Sequence, residues 1–353
     1  GDVLEALAEL KRLAERGWYI ASSELAFINM RPENYEYTEN TQVKSLISAE
    51  NGLNYALEVI DTNYFLSNFH DYFFDSQIAK NMSAEQADKL MQALEKVAEG
   101  DEKKGAILAS QILGQLEYYG TIRTPNLQKA LDWFHFAVGE HDDHFSASWL
   151  SFIYREEVEV LNPSLAIKYA KIAALNPDPY FQAEAYITLG VFYMYNQEQQ
   201  DFPTADQYFR MADEIIQGSE FIMREFYEHL TLLHLLGGNG LKRDLEVARN
   251  FAEQIEPNGG SDFPLYFLTR HKFSDQTTVE EIIKMLERNF FEGKSAASFA
   301  LAAVAEVRGD IVNQYKWTTI CSMICSDSIK EDYLHYAGVL SKKMAPFQKS
   351  KGQ

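Results

Sequence analysis

The side chains best suited to chemistry are few. His141-Asp142-Asp143-His144 is the one dense group of metal-type ligands. On a helix the two imidazoles would share a face and the carboxylates could complete a coordination shell. The group falls in a turn, however, where acidic residues cap the helix that starts near Phe145, and it reads as a solvated capping turn. Glu156, Glu157 and Glu159 could supply the acid and base of a glycosidase, but the run reads as a solvated helix end. His229 and His234, in HLTLLHLL, read as packed or groove-facing. His70, beside Asp71, has no nucleophile next to it. Cys321 and Cys325 lie one helical turn apart, where a bridge would be strained, and read as small buried residues. The chain has no G-x-S-x-G, H-E-x-x-H, Walker A or strand-borne G-x-G-x-x-G motif. No catalytic residue, metal or cofactor is therefore expected, and the chain reads as a non-enzyme.

Composition narrows the choice further. The 353 residues are 46% hydrophobic, with 23 Phe and 20 Tyr but only 9 Pro and 19 Gly. That is ample core material with few tight turns, which favours long helices. A net charge of −20 repels phosphate backbones and anionic lipid, so nucleic acid is not an expected partner. Two cysteines do not make a disulfide framework. No apolar run is long enough to span a membrane. The chain begins with Gly1 rather than Met, which suggests that something was removed upstream; a secretory signal is one candidate, and a periplasmic or secreted location is slightly favoured.

The elements that would position any site repeat along the chain. Lys129-Ala130-Leu131-Asp132-Trp133-Phe134 aligns with segments centred on Ala166, Ala205 and Ala248, at intervals of 36, 39 and 43 residues. Weaker copies lie at Glu281-Ile282-Ile283 and Gln314-Tyr315-Lys316-Trp317. Each is preceded by another helix: Ala109 to Gly114, Ser146 to Tyr154, Ala183 to Tyr193 and Ser295 to Gly309. A Gly or Ser follows the central Leu in the clearest copies, where lack of bulk lets the partner helix approach. Trp133, Tyr169, Tyr208, Phe251 and Trp317 occupy one repeated packing position.

This pattern, A-x-A-x-x-x-L-G-x-x-Y, a G-x-G turn, an Asp and then K-A-x-x-W-Y-x-x-A, resembles the Sel-one-like repeat, a subclass of the tetratricopeptide-like helical repeats. Gly238-Asn239-Gly240 with Asp244, Ala248 and Phe251 fits it well. Glu117 stands where the Tyr is expected, Asn126 stands for the Asp, and Gln199 to Pro203 replaces the glycine turn. The resemblance implies an all-α fold, a right-handed α/α superhelix or solenoid of stacked antiparallel helix pairs. The expected divisions are divergent helical pairs over 1–103, core repeats over 104–256, further repeats and a capping helix over 257–345, and a tail over 346–353. In the first part Val3–Arg16 is a helix stopped by Gly17, 31–50 is a long polar connection, and Ser83 with Gln86 forms a capping box.

In such arrays the first helices line a concave groove. Counting five and two residues before the Leu, and two and five after it, selects Gln111, Gln115, Tyr118, Ser148, Phe152, Arg155, Glu184, Met194, Phe226 and His229. Polar residues mixed with aromatic anchors suit a protein or peptide segment. The resemblance implies a scaffold for protein complexes, often in bacterial envelopes or in host contact. The alternative is an all-α toroid that hydrolyses or cleaves a polysaccharide, with carboxylates converging in one deep pocket.

Overall fold

The computed structural model describes residues 3–30, 47–74, 79, 82–157, 159–217, 225–255, 277–293, 297–324 and 327–344. The connection at 31–46, the expected break at 256–264, Cys325 and the tail lie outside them, as do the side chains of His70 and Asp71. Among the described residues every named element is an α-helix. In chain order these are α1 (Val3–Ala14), α2 (Tyr19–Met30), α3 (Ala49–Val59), α4 (Asn63–Phe73), α5 (Ala84–Ala98), α6 (Lys103–Tyr119), α7 (Leu127–His141), α8 (His144–Glu156), α9 (Pro163–Ala173), α10 (Pro179–Tyr195), α11 (Phe202–Gln217), α12 (Glu225–Leu236), α13 (Leu245–Ile255), α14 (Val279–Phe291), α15 (Ala297–Val307), α16 (Ile311–Ile324) and α17 (Asp327–Lys343).

The chain divides into two compact units, Gly1–Leu150 and Ser151–Gln353. In the first, α1 packs on α2, α2 on α3 and α4, and α6 on α4, α5 and α7. Its core is built on Phe65, Phe69 and Phe73, spaced four apart on one face of α4, with Leu90, Met91 and Leu94 of α5. Ser83 and Gln86 form the expected capping box at the start of α5. In the second unit α10 packs on α11, α12 on α13, and α15 and α17 both on α16. The fold is thus an all-α array of antiparallel helix hairpins.

One device closes five of the hairpins. The second helix starts on an Asn or Asp whose side chain accepts a backbone N–H of its first turn. This is Asn126 for α7, Asn162 for α9, Asp201 for α11, Asp244 for α13 and Asp310 for α16. The same residue donates its own N–H back to the end of the first helix, to Glu117 O, Tyr154 O, Tyr193 O, His234 O and Ala305 O respectively, at 2.7–3.0 Å. Each cap thus satisfies orphan groups on both helices at once. Asn126 does this as well as an Asp, since a carboxamide oxygen is also an acceptor.

These bonds fix a common register. The acceptor carbonyl is always four residues after a buried leucine or its equivalent: Leu113, Leu150, Leu189, Leu230 and Leu301. The next residue is Gly114, Ser151, Gly190, Thr231 or Ala302. A Cβ on Gly114 would lie 2.5 Å from the Phe134 ring, and one on Gly190 would lie 2.6 Å from Phe209. Where the facing residue is Ala170 instead of Phe, Ser151 fits, and its hydroxyl donates to Ala166 O. Bulk on one helix is matched by its absence on the other.

The position four after the leucine faces the repeated aromatic of the second helix. Tyr154 stacks on Tyr169, Tyr193 on Tyr208 and His234 on Phe251, with centroids 5.8–5.9 Å apart. Glu117 and Ala305 are the exceptions: Glu117, 1% exposed, pairs with Arg123 at 2.6 Å and lies 3.9 Å from Lys129. Of the five repeated aromatics expected in the core, Tyr169 and Trp317 are buried, whereas Trp133, Tyr208 and Phe251 are half-buried. In two hairpins the fully buried ring is the following residue, Phe134 or Phe209.

Candidate functional site

The residues expected to line a groove fall into three groups. In the first unit Gln111, Tyr118 and Ser148 are half-buried. Tyr118 meets Tyr119 and Trp149 edge-on at 5.3 and 5.5 Å. Gln111 donates to Asp143 at 3.0 Å, and Asp143 also caps α8 by accepting Ser146 N–H at 2.8 Å. Asp142, at φ 56°, ends α7. The His141–His144 segment is thus built as a capping turn. Among the described residues no three His, Cys, Asp or Glu side chains come together as metal ligands.

In the second unit Phe152 is 37% exposed, Arg155 is half-buried, and Glu184 is exposed on α10. Three residues depart from expectation. Gln115 is 4% exposed, Met194 0% and Phe226 1%, so all three belong to the interior. For Phe226 and His229 the reason is register. Counting places Thr231 in the leucine position, whereas the Asp244 N–H to His234 O bond puts Leu230 there. Phe226 and His229 thereby move onto the packed side of α12. Met194 is buried at the end of α10, and the neighbouring Tyr195 takes the polar role.

That role is part of a polar cluster in the second unit. The Tyr195 hydroxyl and His229 Nδ1 are 2.9 Å apart. Arg155 donates from Nε to Glu156 at 2.7 Å. At the end of α15, Glu306 Oε1 accepts from the Tyr336 hydroxyl at 2.6 Å, and the Gln314 amide donates to that hydroxyl at 2.8 Å. Glu156 lies within electrostatic reach of both Glu306 and Tyr336. Six helices, α8, α10, α12, α15, α16 and α17, therefore contribute side chains.

The electrostatics follow from burial. Desolvation, reinforced by the negative charge of Glu156, raises Glu306 above the ordinary carboxylate value of 4.5. Burial and then Glu306 push the Tyr336 hydroxyl far above the usual phenol range. Burial, aided by the Arg155 charge, lowers His229 to about 4, so near neutral pH its imidazole is uncharged. The Tyr195 hydroxyl can then donate to Nδ1. Glu306 was not among the expected groove residues, although the same count reaches it: it stands five after Leu301, as Tyr118 stands five after Leu113 and Arg155 five after Leu150.

A second polar group lies nearby in sequence. Asp206 accepts from His234 Nε2 at 2.8 Å and from Arg210 at 2.9 Å, and its carboxyl is held low because these bonds outweigh the effect of its burial. His234 is 4% exposed and its ring is covered by Phe251, so this group ties α11 to α12 and α13 and offers no open surface.

No family model and no curated protein matches the chain. Solved structures similar to it include the following two. A Sel1 repeat protein from Oxalobacter formigenes aligns with a TM-score of 0.40 and 16% identity, over 70% of this chain and 98% of that one. The protein c5321, a protective antigen present in uropathogenic Escherichia coli strains and displaying an SLR fold, aligns with a TM-score of 0.38 and 16% identity, over 99% of this chain and 86% of that one. The helical-repeat class itself rests on the hairpins and their shared register.

Proposed function

We propose that this protein is a non-enzymatic helical-repeat scaffold that holds a protein or peptide segment against the outward faces of its first helices. The observation that carries this reading is α8. Ala147, Leu150, Ser151 and Ile153 are buried, while Ser148, Phe152 and Arg155 form a partly exposed strip at helical spacing. Gln111 and Tyr118 on α6 of the first unit, and Glu184 on α10 of the second, carry the same mixture of polar and aromatic groups within their own units. A ring flanked by hydrogen-bonding side chains is the usual anchor of a peptide site. Glu156 and Glu306, the two carboxylates of the polar cluster, are each engaged by a protein donor, Arg155 and Tyr336. That favours a scaffold over a polysaccharide hydrolase or lyase, which needs both carboxylates turned toward a sugar. An envelope location belongs to the same proposal.

The test is capture of partners by the intact chain and by a Tyr118→Ala, Phe152→Ala double variant. The variant should keep its helical circular dichroism and lose at least about tenfold in affinity for a partner segment, the size of a modest anchor. Unchanged capture would remove the groove, and release of reducing ends from a polysaccharide would favour the enzyme.

A further inference from the structure

In the second unit, α16 and α17 leave a groove of about 530 Å³ between them. Thr319 and Met323 line it from α16, and Leu334, Ala337, Gly338 and Ser341 line it from α17. Its rim is apolar and open to solvent: Met323 is 71% exposed and Leu334 53%. Thr319 has a buried hydroxyl with no partner among the described residues. Gly338 stands inside α17, where glycine is a poor helix former. Gly114 and Gly190 offset that weakness by admitting a ring of the next helix. A Cβ on Gly338 would meet nothing within 4 Å among the described residues. The helix therefore keeps room for a close neighbour that its own chain does not supply.

The order of residues along α17 says what that neighbour is. On the groove it reads Leu334, Ala337, Gly338, Ser341, one large residue followed by three small ones. Turned end for end about the midpoint between Ala337 and Gly338, the same row lays Leu334 over Ser341 and Ala337 against Gly338. The face is thus complementary to itself in antiparallel register, as a two-fold contact between identical chains requires. Small residues at the midpoint let two helix axes come close, and the large residue of each fills the space left by the small residue of the other. Charge agrees with shape. Glu331 and Lys342 are eleven residues apart, close to three turns, so the two positions share one flank of α17. The same reversal sets position 342 of one helix within about 3 Å, along the axis, of position 331 of the other.

We propose that this groove is a self-association surface, occupied by α17 of a second copy of the chain in an antiparallel, two-fold arrangement. Each copy lends Leu334 to the small residues of the other, Met323 covers the seam from α16, and opposite charges meet on the flank. The contact is one helix wide, so it makes a weak dimer in which the two chains exchange freely.

Sedimentation equilibrium of the full chain tests this. A reversible dimer should be populated by about 100 µM, the range of a small transient contact. Gly338→Gln fills space that is empty in the single chain, so the variant should keep its helical circular dichroism and weaken the dimer at least about tenfold. Lys342→Glu reverses two equivalent flank pairs at once and should weaken it about fivefold. Adding Glu331→Lys to that variant should restore the dimer, which a merely structural role for either residue would not do. A chain that stays monomeric at this concentration, a dimer indifferent to Gly338→Gln, or a charge reversal that its partner change does not restore would overturn the pairing. So would a monomer whose groove takes a helix of a different protein instead.

Discussion

Two junctions of the array, one in each unit, are built from the same three positions. In the first unit Gly114 admits Phe134, and Phe134 stacks on Trp149 at 5.5 Å and 4°. In the second Gly190 admits Phe209, and Phe209 stacks on His229 at 5.9 Å and 15°. Trp149 and His229 each stand one residue before the leucine of the following helix, Leu150 or Leu230. The repeat therefore preserves a shape, a flat ring against a flat ring, and leaves its chemistry free. At the first junction the outer ring belongs to an aromatic group with Tyr118 and Tyr119. At the second it is an imidazole reaching Tyr195 and, through the Arg155 charge, the polar cluster. The substitution gives the second unit a titratable packing element.

The comparison can be broken at its shared part. Phe134→Ala and Phe209→Ala each empty a fully buried ring site, and each should cost about 3–5 kcal/mol in urea unfolding. A much smaller loss at either would mean that the two junctions are not equivalent. The pH axis sharpens the difference between them. An unfolded His takes up a proton near 6.5, but folded His229 resists until about 4, so stability is full above 6.5 and declines as pH falls through this window. With allowance for the partial exposure of the ring, about 2 kcal/mol should be lost. His229→Phe keeps the stack and should remove that slope, whereas Trp149→Phe should leave it unchanged. The smallest effect concerns close approach. Gly114→Ala and Gly190→Ala gain helix propensity of about 1 kcal/mol, but the added methyl group must displace a packed ring at about 1–3 kcal/mol. A net loss near 1 kcal/mol at both sites, read from the urea midpoint, would support a common geometry.

Much of the hairpin architecture is legible in the sequence because it is local. The cap at Ser83, the Asp244 start of α13 and the small residue after each leucine are all matters of a few neighbouring positions. The α12 register is harder to read, because Leu230-Thr231 replaces Leu-Gly and a bulky neighbour on either side can pose as the leucine. That one-residue slip moved Phe226 and His229 onto the wrong face. Met194 and Gln115 show the limit of a periodic count: it gives a direction around the helix and not what lies there. Glu306 has the right spacing but an unremarkable local sequence, SFALAAVAEVRG. Its meaning comes from Tyr336 and Glu156, which no short-range pattern brings beside it.

The double-duty caps bear on how the chain assembles. Each of these five hairpins is fastened by an amide and a side-chain oxygen of a single residue, so its loop closes over a short stretch of chain at small entropic cost. Units of this kind can nucleate separately and grow by accretion onto a formed neighbour. Duplicating one whole hairpin would thus lengthen the protein without requiring any existing fastening to be rebuilt.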